Sequence, residues 1–163
     1  MMKILLPVDD SKFSRIAILR LIDQFRTKGT QVRVLHVIEQ ISGYVSADLF
    51  PHFVSQLAEI EEDRQKQAKK LVQNAARELR EAGFKTSEVL ETGDPKNQIL
   101  VQAEKWCADL IVVGSHGLKG LDRFLMGSVS EAVTWHAKCS VEVVRLGGRP
   151  QASAKNVEVI AKT

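Results

Sequence analysis

The stretch Leu110-Ile111-Val112-Val113-Gly114-Ser115-His116-Gly117, followed nine residues later by Gly127-Ser128-Val129-Ser130, decides the fold. Its apolar part is a short uninterrupted run, which is typical of a strand buried on both faces of a parallel sheet. The glycines that follow allow a sharp turn, and a helical pattern begins at Ser128. The stretch therefore predicts a buried strand, a glycine loop and the start of a helix, in that order.

This order of elements provides what a protein needs to hold a phosphate group. The first N–H groups of a helix have no partner within it, and the helix dipole favours negative charge there. Glycines let the main chain approach an anion without a side chain in the way. We expect two kinds of donor to face the phosphates: the backbone amides of Gly117, Gly127, Ser128 and Val129, and the hydroxyls of Ser128 and Ser130. The competing interpretation is that the glycines only shape a crossover between elements; the Ser-Val-Ser helix start favours the phosphate cradle.

Five strand-like segments alternate with helical patterns along the chain. The strands are predicted at Lys3–Val8, Gln31–Ile38, Lys85–Glu91, Asp109–Gly114 and Ser140–Arg145. The helices are predicted after Ser11, over Ser55–Ala82, from the Asp94 cap to about Cys107, and over Ser128–Ala137. The segment Glu39–Val54 has no clear period and is interpreted as a loop with one turn of helix. The alternation predicts a parallel, Rossmann-like α/β sheet with helices on both faces.

Composition limits the classes of function. A chain of 163 residues corresponds to one domain, and a net charge of +3 without a basic stripe gives no nucleic-acid footprint. There is no signal-peptide pattern and no apolar stretch of transmembrane length, so we expect a cytoplasmic protein without membrane contact. Cys107 and Cys139 follow no C-x-x-C pattern, and the histidines show no metal-ligand spacing with them. Both cysteines are therefore interpreted as reduced core thiols.

The spacing Gly-x-x-Gly, nine residues, Gly-Ser resembles the ATP-binding motif of the universal stress protein family. Ile4–Asp9 resembles that family's opening strand and loop, Leu35–Ile38 its second strand, and Ser140–Arg145 its last strand. The resemblance implies the strand order 3-2-1-4-5 within a single nucleotide-binding domain over residues 1–146. Composition predicts a flexible tail over 147–163, in which Val157–Ile160 could add a strand.

The two loops that follow the first and fourth strands are expected to form one binding crevice. In an open parallel sheet, ligands bind outside the carboxyl ends of the strands where the winding order reverses, which here joins Asp9 and Gly114. Asp9 is expected to accept a hydrogen bond from a ribose hydroxyl or to take part in magnesium binding. Its competing role is that of a loop acid or helix cap. The resemblance implies that Val37 contacts adenine and that Pro7 and Val8 line its pocket. Three further residues complete the candidate cofactor-binding set: Val113 at the end of the fourth strand, and His116 and Arg123, which can approach the phosphates or face solvent.

The resemblance implies a regulatory stress-response protein that binds ATP and Mg²⁺ rather than a dedicated enzyme. The phosphate loop has no evident base to activate water, so any hydrolysis of ATP is expected to be slow. The family also implies a homodimer through the fifth strand, whose valines Val141, Val143 and Val144 make an attractive sheet edge. The sequence indicates no particular protein partner.

Three other classes of protein compete with this interpretation. Lys3–Ser11 is similar to the opening of phosphoacceptor receiver domains, but Gly114 stands where their phosphorylated Asp would be. An ATP-pyrophosphatase-type enzyme would carry a glycine-rich loop after the first strand, and Pro7–Lys12 contains no glycine. A stress or chaperone-type dimer that binds no nucleotide would be expected to lack the glycine-serine motif.

Overall fold

Five strands and four helices alternate through the part of the chain that the computed structural model describes, which is residues 1–39, 51–117 and 126–145, with backbone alone for 51–57. The elements are β1 Met2–Pro7, α1 Lys12–Gln24, β2 Thr30–Ile38, α2 Pro51–Glu81, β3 Lys85–Thr92, α3 Pro95–Trp106, β4 Leu110–Gly114, α4 Ser128–His136 and β5 Ser140–Val144. The predicted tail and Arg123 lie outside the described residues.

All five strands are parallel and lie in the order β3-β2-β1-β4-β5. This confirms the expected sheet, including the reversal of winding between β1 and β4. In that central pair Ile4 is opposite Leu110 and Leu5 is opposite Ile111. The chain therefore leaves β1 and β4 at the same edge of the sheet, where a crevice opens between their loops.

The sheet separates two apolar cores, and both faces carry helices as predicted. Ile4 and Leu6 point into a core with α1 and α2, whereas Leu5 points into a core with α3 and α4. Alternate residues of a strand face opposite sides, so each strand of the centre contributes to both cores. Burial on both sides explains why β4 is an unbroken apolar run.

The helix starts follow the caps that the sequence predicts, with one difference in length. The Ser11 side chain accepts a hydrogen bond from the Ser14 amide, and Asp94 caps α3 with Pro95 in its first turn. Helix α2, however, begins at Pro51, so the last four residues of the predicted loop Glu39–Val54 are helical. Proline has a fixed φ that suits the first turn and lacks an N–H that would be unpaired there anyway.

Helix α3 ends in a left-handed residue that is not glycine. Cys107 has a φ of 52°, its amide donates to the Glu104 carbonyl at 3.0 Å, and the Ala108 amide donates to the Ala103 carbonyl at 2.9 Å. These two bonds are those of a Schellman motif, in which glycine is the usual residue. Cys107 is exposed at this position, so the interpretation of it as a core thiol was wrong.

Replacing Cys107 by glycine is expected to raise the free energy of unfolding by roughly 0.5 kcal/mol, because relief of left-handed strain exceeds the added entropy of the unfolded chain. Urea denaturation measures the change. Cys107→Ala is the matched control, since it removes the thiol and keeps the Cβ. Equal midpoints for the two variants would show that the backbone strain is negligible.

Cys139 differs from Cys107 in its surroundings and is expected to differ in reactivity. Burial raises the pKa of the Cys139 thiol. The negative charge of nearby Asp109 raises this pKa further, and a backbone hydrogen bond lowers it in part. The thiolate is the reactive species, so near neutral pH a maleimide should label exposed Cys107 first. Peptide mapping after brief labelling checks this, and faster modification of Cys139 would contradict it.

Candidate functional site

The glycine loop after β4 is fastened at both of its described ends. The Ser115 amide donates to the Val144 carbonyl of β5 at 2.8 Å, and the Gly127 amide donates to the Ser115 carbonyl at 2.8 Å. A Cβ added at Gly127 would lie 3.7 Å from the Gly117 nitrogen. The fold thus brings Gly117 beside the start of α4, which is the juxtaposition that a phosphate cradle requires.

Asp9 organises the loop that faces this glycine turn. Its Oδ1 atom accepts hydrogen bonds from the Ser11 amide at 3.2 Å, the Ser11 hydroxyl at 2.5 Å and the Ser14 hydroxyl at 2.6 Å. Its own amide donates to the Ser14 hydroxyl oxygen at 2.8 Å. The structure therefore shows the competing role considered for Asp9, because one carboxylate oxygen supports the start of α1.

The second carboxylate oxygen of Asp9 lies against the glycine loop. A Cβ added at Gly117 would come within 2.7 Å of Asp9 Oδ2, so only glycine allows this approach. The side-chain hydrogen bonds of Asp9 to other described residues all use Oδ1. Oδ2 is thus placed between the two loops with capacity for a further donor.

Helix α4 begins without a side-chain cap, in contrast to α1 and α3. Its N-cap residue is Gly127, which has no side chain that could accept a hydrogen bond. The amides of Ser128 and Val129 in the first turn have no helical acceptor because they precede the first complete turn. They add donor capacity and the positive end of a helix dipole to the loop that already holds Gly117.

Gly114 and Ser130 have structural roles that the sequence did not distinguish from phosphate binding. A Cβ at Gly114 would lie 2.9 Å from the Phe13 carbonyl carbon, so this glycine lets α1 pack on the end of β4. The Ser130 hydroxyl donates to the Gly114 carbonyl at 2.6 Å. A hydroxyl has one hydrogen, so the expectation that Ser130 donates to phosphate does not hold in this structure; the buried carbonyl requires that donor instead.

The residues expected around the base divide between the two faces of the sheet. Val37, Val113 and Val129 all pack with the core of α3 and α4, on the same side as the start of α4. The Val8 side chain belongs to the other core, with α1 and α2. The Val8 side chain therefore lies on the opposite face of the sheet from Val37, because Val8 continues the alternation of Ile4 and Leu6. The lining of the adenine pocket by Pro7 and Val8 stays a prediction, which for Val8 involves its backbone.

The backbone of Val8 is held by β2, while Pro7 is buried at the end of β1. The Val8 amide donates to the Leu35 carbonyl at 2.8 Å, and the Val8 carbonyl lies 2.7 Å from His36 Nδ1. His36 is a positioning residue that sequence reasoning missed. Its place directly before Val37, at the end of a strand next to β1, was the available signal.

The His116 ring packs against α1 and does not extend into solvent. Its centroid lies 4.9 Å from that of Phe13, and its Nδ1 is 3.0 Å from the Ser115 hydroxyl oxygen. Among the described residues the buried Nε2 atom has no hydrogen-bond partner. His116 is therefore held against Phe13, and its approach to the phosphates stays a prediction; Arg123 lies outside the described residues.

The described residues of the crevice are arranged to bind a ligand. Ser115 and His116 form a serine–histidine contact, but Ser115 is only 2% exposed and a substrate cannot reach it. Within the described ranges no three His, Cys, Asp or Glu side chains form a metal-binding group. What the crevice offers is backbone N–H donors, one carboxylate oxygen and an apolar surface.

Membrane insertion has no candidate helix in the described part of the chain. None of the helices there is both long and apolar enough to span a bilayer.

Comparison with known proteins matches this chain to one family. The model of the universal stress protein family matches residues 1–145. Universal stress protein Sll1388 of Synechocystis is 30% identical, over 88% of this chain and 97% of its own. Universal stress protein MJ0577 of Methanocaldococcus jannaschii is 32% identical over 88% of this chain and 94% of its own.

Solved structures show the same fold. The structure of MJ0577 matches with a TM-score of 0.76 and covers 90% of this chain and 97% of that one, at 30% sequence identity. A universal stress protein family member from Arabidopsis thaliana, solved with AMP bound, matches with a TM-score of 0.63 at 22% identity, over 94% and 97% of the two chains. The order of strands, the glycine-serine loop and the family match over residues 1–145 lead to one conclusion: this chain belongs to the universal stress protein family.

Proposed function

We propose that this protein binds an adenine nucleotide in the crevice between the β1 and β4 loops and acts as a nucleotide-dependent stress-response regulator. The observation that carries the proposal is the meeting of Asp9 Oδ2, Gly117 and the uncapped start of α4. The Arabidopsis relative with bound AMP has the same fold, which supports an adenine nucleotide as the ligand class.

Each part of the crevice suits a different part of the nucleotide. The amides of Gly117, Ser128 and Val129 would donate to phosphate oxygens, assisted by the α4 dipole. The Gly127 amide, which was also expected to do so, donates to the Ser115 carbonyl instead. Asp9 Oδ2 would accept a hydrogen bond from a ribose hydroxyl, as carboxylates do at the ends of strands in nucleotide-binding sheets. Val37 and Val113 would provide apolar contact for the base, since both lie on the α4 side of the sheet.

ATP with Mg²⁺ fits the same site. Mg²⁺ usually keeps several waters and is held by one or two carboxylates together with substrate phosphates. Asp9 offers one carboxylate with an oxygen toward the glycine loop, which matches that limited requirement. No side chain of the described crevice is placed as a base, so ATP turnover would depend on positioning alone and be slow.

Thermal unfolding with added nucleotide tests the proposal. A ligand at ~100 times its dissociation constant adds about 2.7 kcal/mol to the free energy of unfolding. Mg-ATP and AMP should therefore raise the melting temperature, and GTP should raise it less. Identification of adenine nucleotide released from the denatured purified protein would support the same conclusion. A melting temperature unaffected by every adenine nucleotide would contradict it.

The proposed assembly is a homodimer through β5, which lies at one edge of the sheet. The other edge strand, β3, carries Lys85, Glu88 and Glu91, which discourage pairing with another chain. β5 has one charged residue, Glu142, among three valines. The contrast favours β5 as the edge that accepts a partner.

A charge at Val143 is expected to split this dimer. Val143→Lys places an ammonium group in the apolar row of the edge, and light scattering after size exclusion should show a monomer. Val143 also packs partly in its own core, so circular dichroism must confirm the fold. Val143→Pro provides a second test because it removes an N–H that faces away from β4. An unchanged dimer in both variants would exclude this interface.

A further inference from the structure

The peptide group between Val8 and Asp9 is held at both of its ends. Its carbonyl oxygen belongs to Val8 and lies 2.7 Å from His36 Nδ1. Its N–H belongs to Asp9 and donates to the Ser14 hydroxyl oxygen at 2.8 Å. The two partners lie on different elements, because His36 is in β2 and Ser14 is in α1. A peptide group is planar, so two bonds in opposite directions fix the orientation of the backbone that leads into Asp9.

The ring nitrogen of His36 that contacts Val8 carries a hydrogen. A carbonyl oxygen can only accept a hydrogen bond, so Nδ1 is the donor. A neutral His36 ring is therefore the tautomer with its hydrogen on Nδ1 and its acceptor lone pair on Nε2. The Val8 carbonyl selects this tautomer, and the ring in turn determines where the carbonyl points.

The contact with His36 coincides with the end of the ladder between β1 and β2. The register of these strands ends at Pro7 and Leu35, and the Val8 amide still donates to the Leu35 carbonyl at 2.8 Å. Backbone groups of alternate strand residues point the same way, so the next rung would join the Val37 amide to the Val8 carbonyl. Among the described residues that rung is not formed. The His36 side chain thus takes the acceptor that Val37 would otherwise use.

Ending the ladder here keeps the two strand ends apart beside the crevice. Val37 is half-buried, and its side chain lies on the face of the sheet that also holds Val129 of α4. A further rung would draw the Val8 carbonyl toward Val37 and rotate the peptide group that precedes Asp9. The Asp9 carboxylate would turn with it and leave its place against Gly117.

We propose that His36 sets the open end of the β1–β2 ladder and, through it, the position of Asp9. The Nδ1–H group of His36 holds the Val8 carbonyl away from the Val37 amide, and the ring does not touch the nucleotide. The effect on affinity rests on the proposed function, since Asp9 acts there on the ribose. The choice of partner for the Val8 carbonyl needs no ligand and can be tested alone.

A role in packing alone would make different demands at this position. A ring that only fills space could be replaced by leucine with little change at Val8 or Asp9. A ring that donates to Val8 could be replaced by asparagine, whose Nδ2 is bonded to Cγ as Nδ1 is in histidine. His36→Leu and His36→Asn therefore separate packing from hydrogen bonding.

Amide exchange by NMR and calorimetry on the full-length chain test the proposal. In the wild type the Val37 amide should exchange ~10-fold or more faster than the Leu35 amide, which lies within the ladder. His36→Leu should slow the Val37 amide by ~10-fold or more, because the Val8 carbonyl then accepts from it. The same variant should weaken AMP binding by about 5- to 10-fold, the effect of one lost hydrogen bond. His36→Asn should recover most of each difference.

NMR of the ring nitrogens provides a test that needs neither a variant nor a nucleotide. In mildly alkaline solution, where an ordinary imidazole is neutral, His36 should carry its hydrogen on Nδ1. A hydrogen on Nε2 would overturn the proposal. Equal Val37 exchange in the wild type and His36→Leu would overturn it too, as would His36→Asn binding AMP as weakly as His36→Leu.

Failure of the proposed function gives a different result. The wild type would then bind no adenine nucleotide in the calorimeter. The ring tautomer and the Val37 exchange would still support or overturn the role of His36 at the end of the ladder.

Discussion

Gly114→Ala is expected to lower the free energy of unfolding by about 2–3 kcal/mol, within the upper range for overpacking of a close-packed interior. The new methyl group would lie 2.9 Å from both the carbonyl carbon and the Cβ of Phe13. The carbonyl carbon belongs to the α1 backbone and the Cβ is bonded directly to that backbone. Neither atom can therefore move aside as the tip of a long side chain could. Urea denaturation followed by circular dichroism measures the loss.

Gly127→Ala is the matched control for this effect. Its added Cβ would meet the His116 Cα at 3.2 Å and the Ser115 carbonyl at 3.3 Å, which requires only small adjustments. We expect a cost below ~1 kcal/mol, in the usual range for an N-cap change from glycine to alanine. If Gly114→Ala were as stable as Gly127→Ala, the close packing of α1 on β4 would not need a glycine.

Asp9→Asn is expected to weaken AMP binding by about 10- to 100-fold, because a hydrogen bond to a charged group contributes ~1.5–3 kcal/mol. The asparagine oxygen can still accept from Ser11 and Ser14, so α1 keeps the support that Asp9 Oδ1 gives it. Its amide nitrogen would then face the crevice in place of the carboxylate oxygen. Calorimetric titration with AMP measures the affinity.

Asp10→Asn controls for the loss of one negative charge, since Asp10 is exposed and adjacent in sequence. It should bind AMP as the wild type does. A ribose contact by Asp9 also predicts that the preference for AMP over a deoxy analogue shrinks in Asp9→Asn. Equal affinities of the two variants would remove Asp9 from the site.

The order of elements could be predicted from the sequence because each one carries a local signal. The apolar run of β4, the Ser11 cap and the Asp94-Pro95 helix start report backbone geometry within a few residues. The strand order came from the family resemblance, because hydrophobic periodicity does not tell which strands are neighbours. The start of α2 was misplaced because the segment Glu39–Val54, which includes its first turn, has no clear period.

The details of the site were less predictable because they depend on which face each residue occupies. Val8 follows Ile4 and Leu6 at intervals of two, so its position in the α1 and α2 core was available from the strand period. The bond from Ser130 to the Gly114 carbonyl was not, since it joins residues sixteen apart through the fold. The sequence does not distinguish Gly114 from Gly117, although their roles differ. Gly114 leaves room for α1 to pack at Phe13, whereas Gly117 leaves room for the carboxylate of Asp9.

Nucleotide binding in the crevice is tested most directly by calorimetric titration of the intact chain with AMP, ATP and phosphate-free adenosine. We expect one nucleotide per chain for AMP and ATP and far weaker binding of adenosine. We also expect loss of AMP binding in Gly117→Val, whose side chain would displace Asp9 Oδ2. A phosphate cradle at the start of α4 would be contradicted if the wild type bound neither AMP nor ATP. It would also be contradicted if the wild type bound AMP and adenosine with equal affinity.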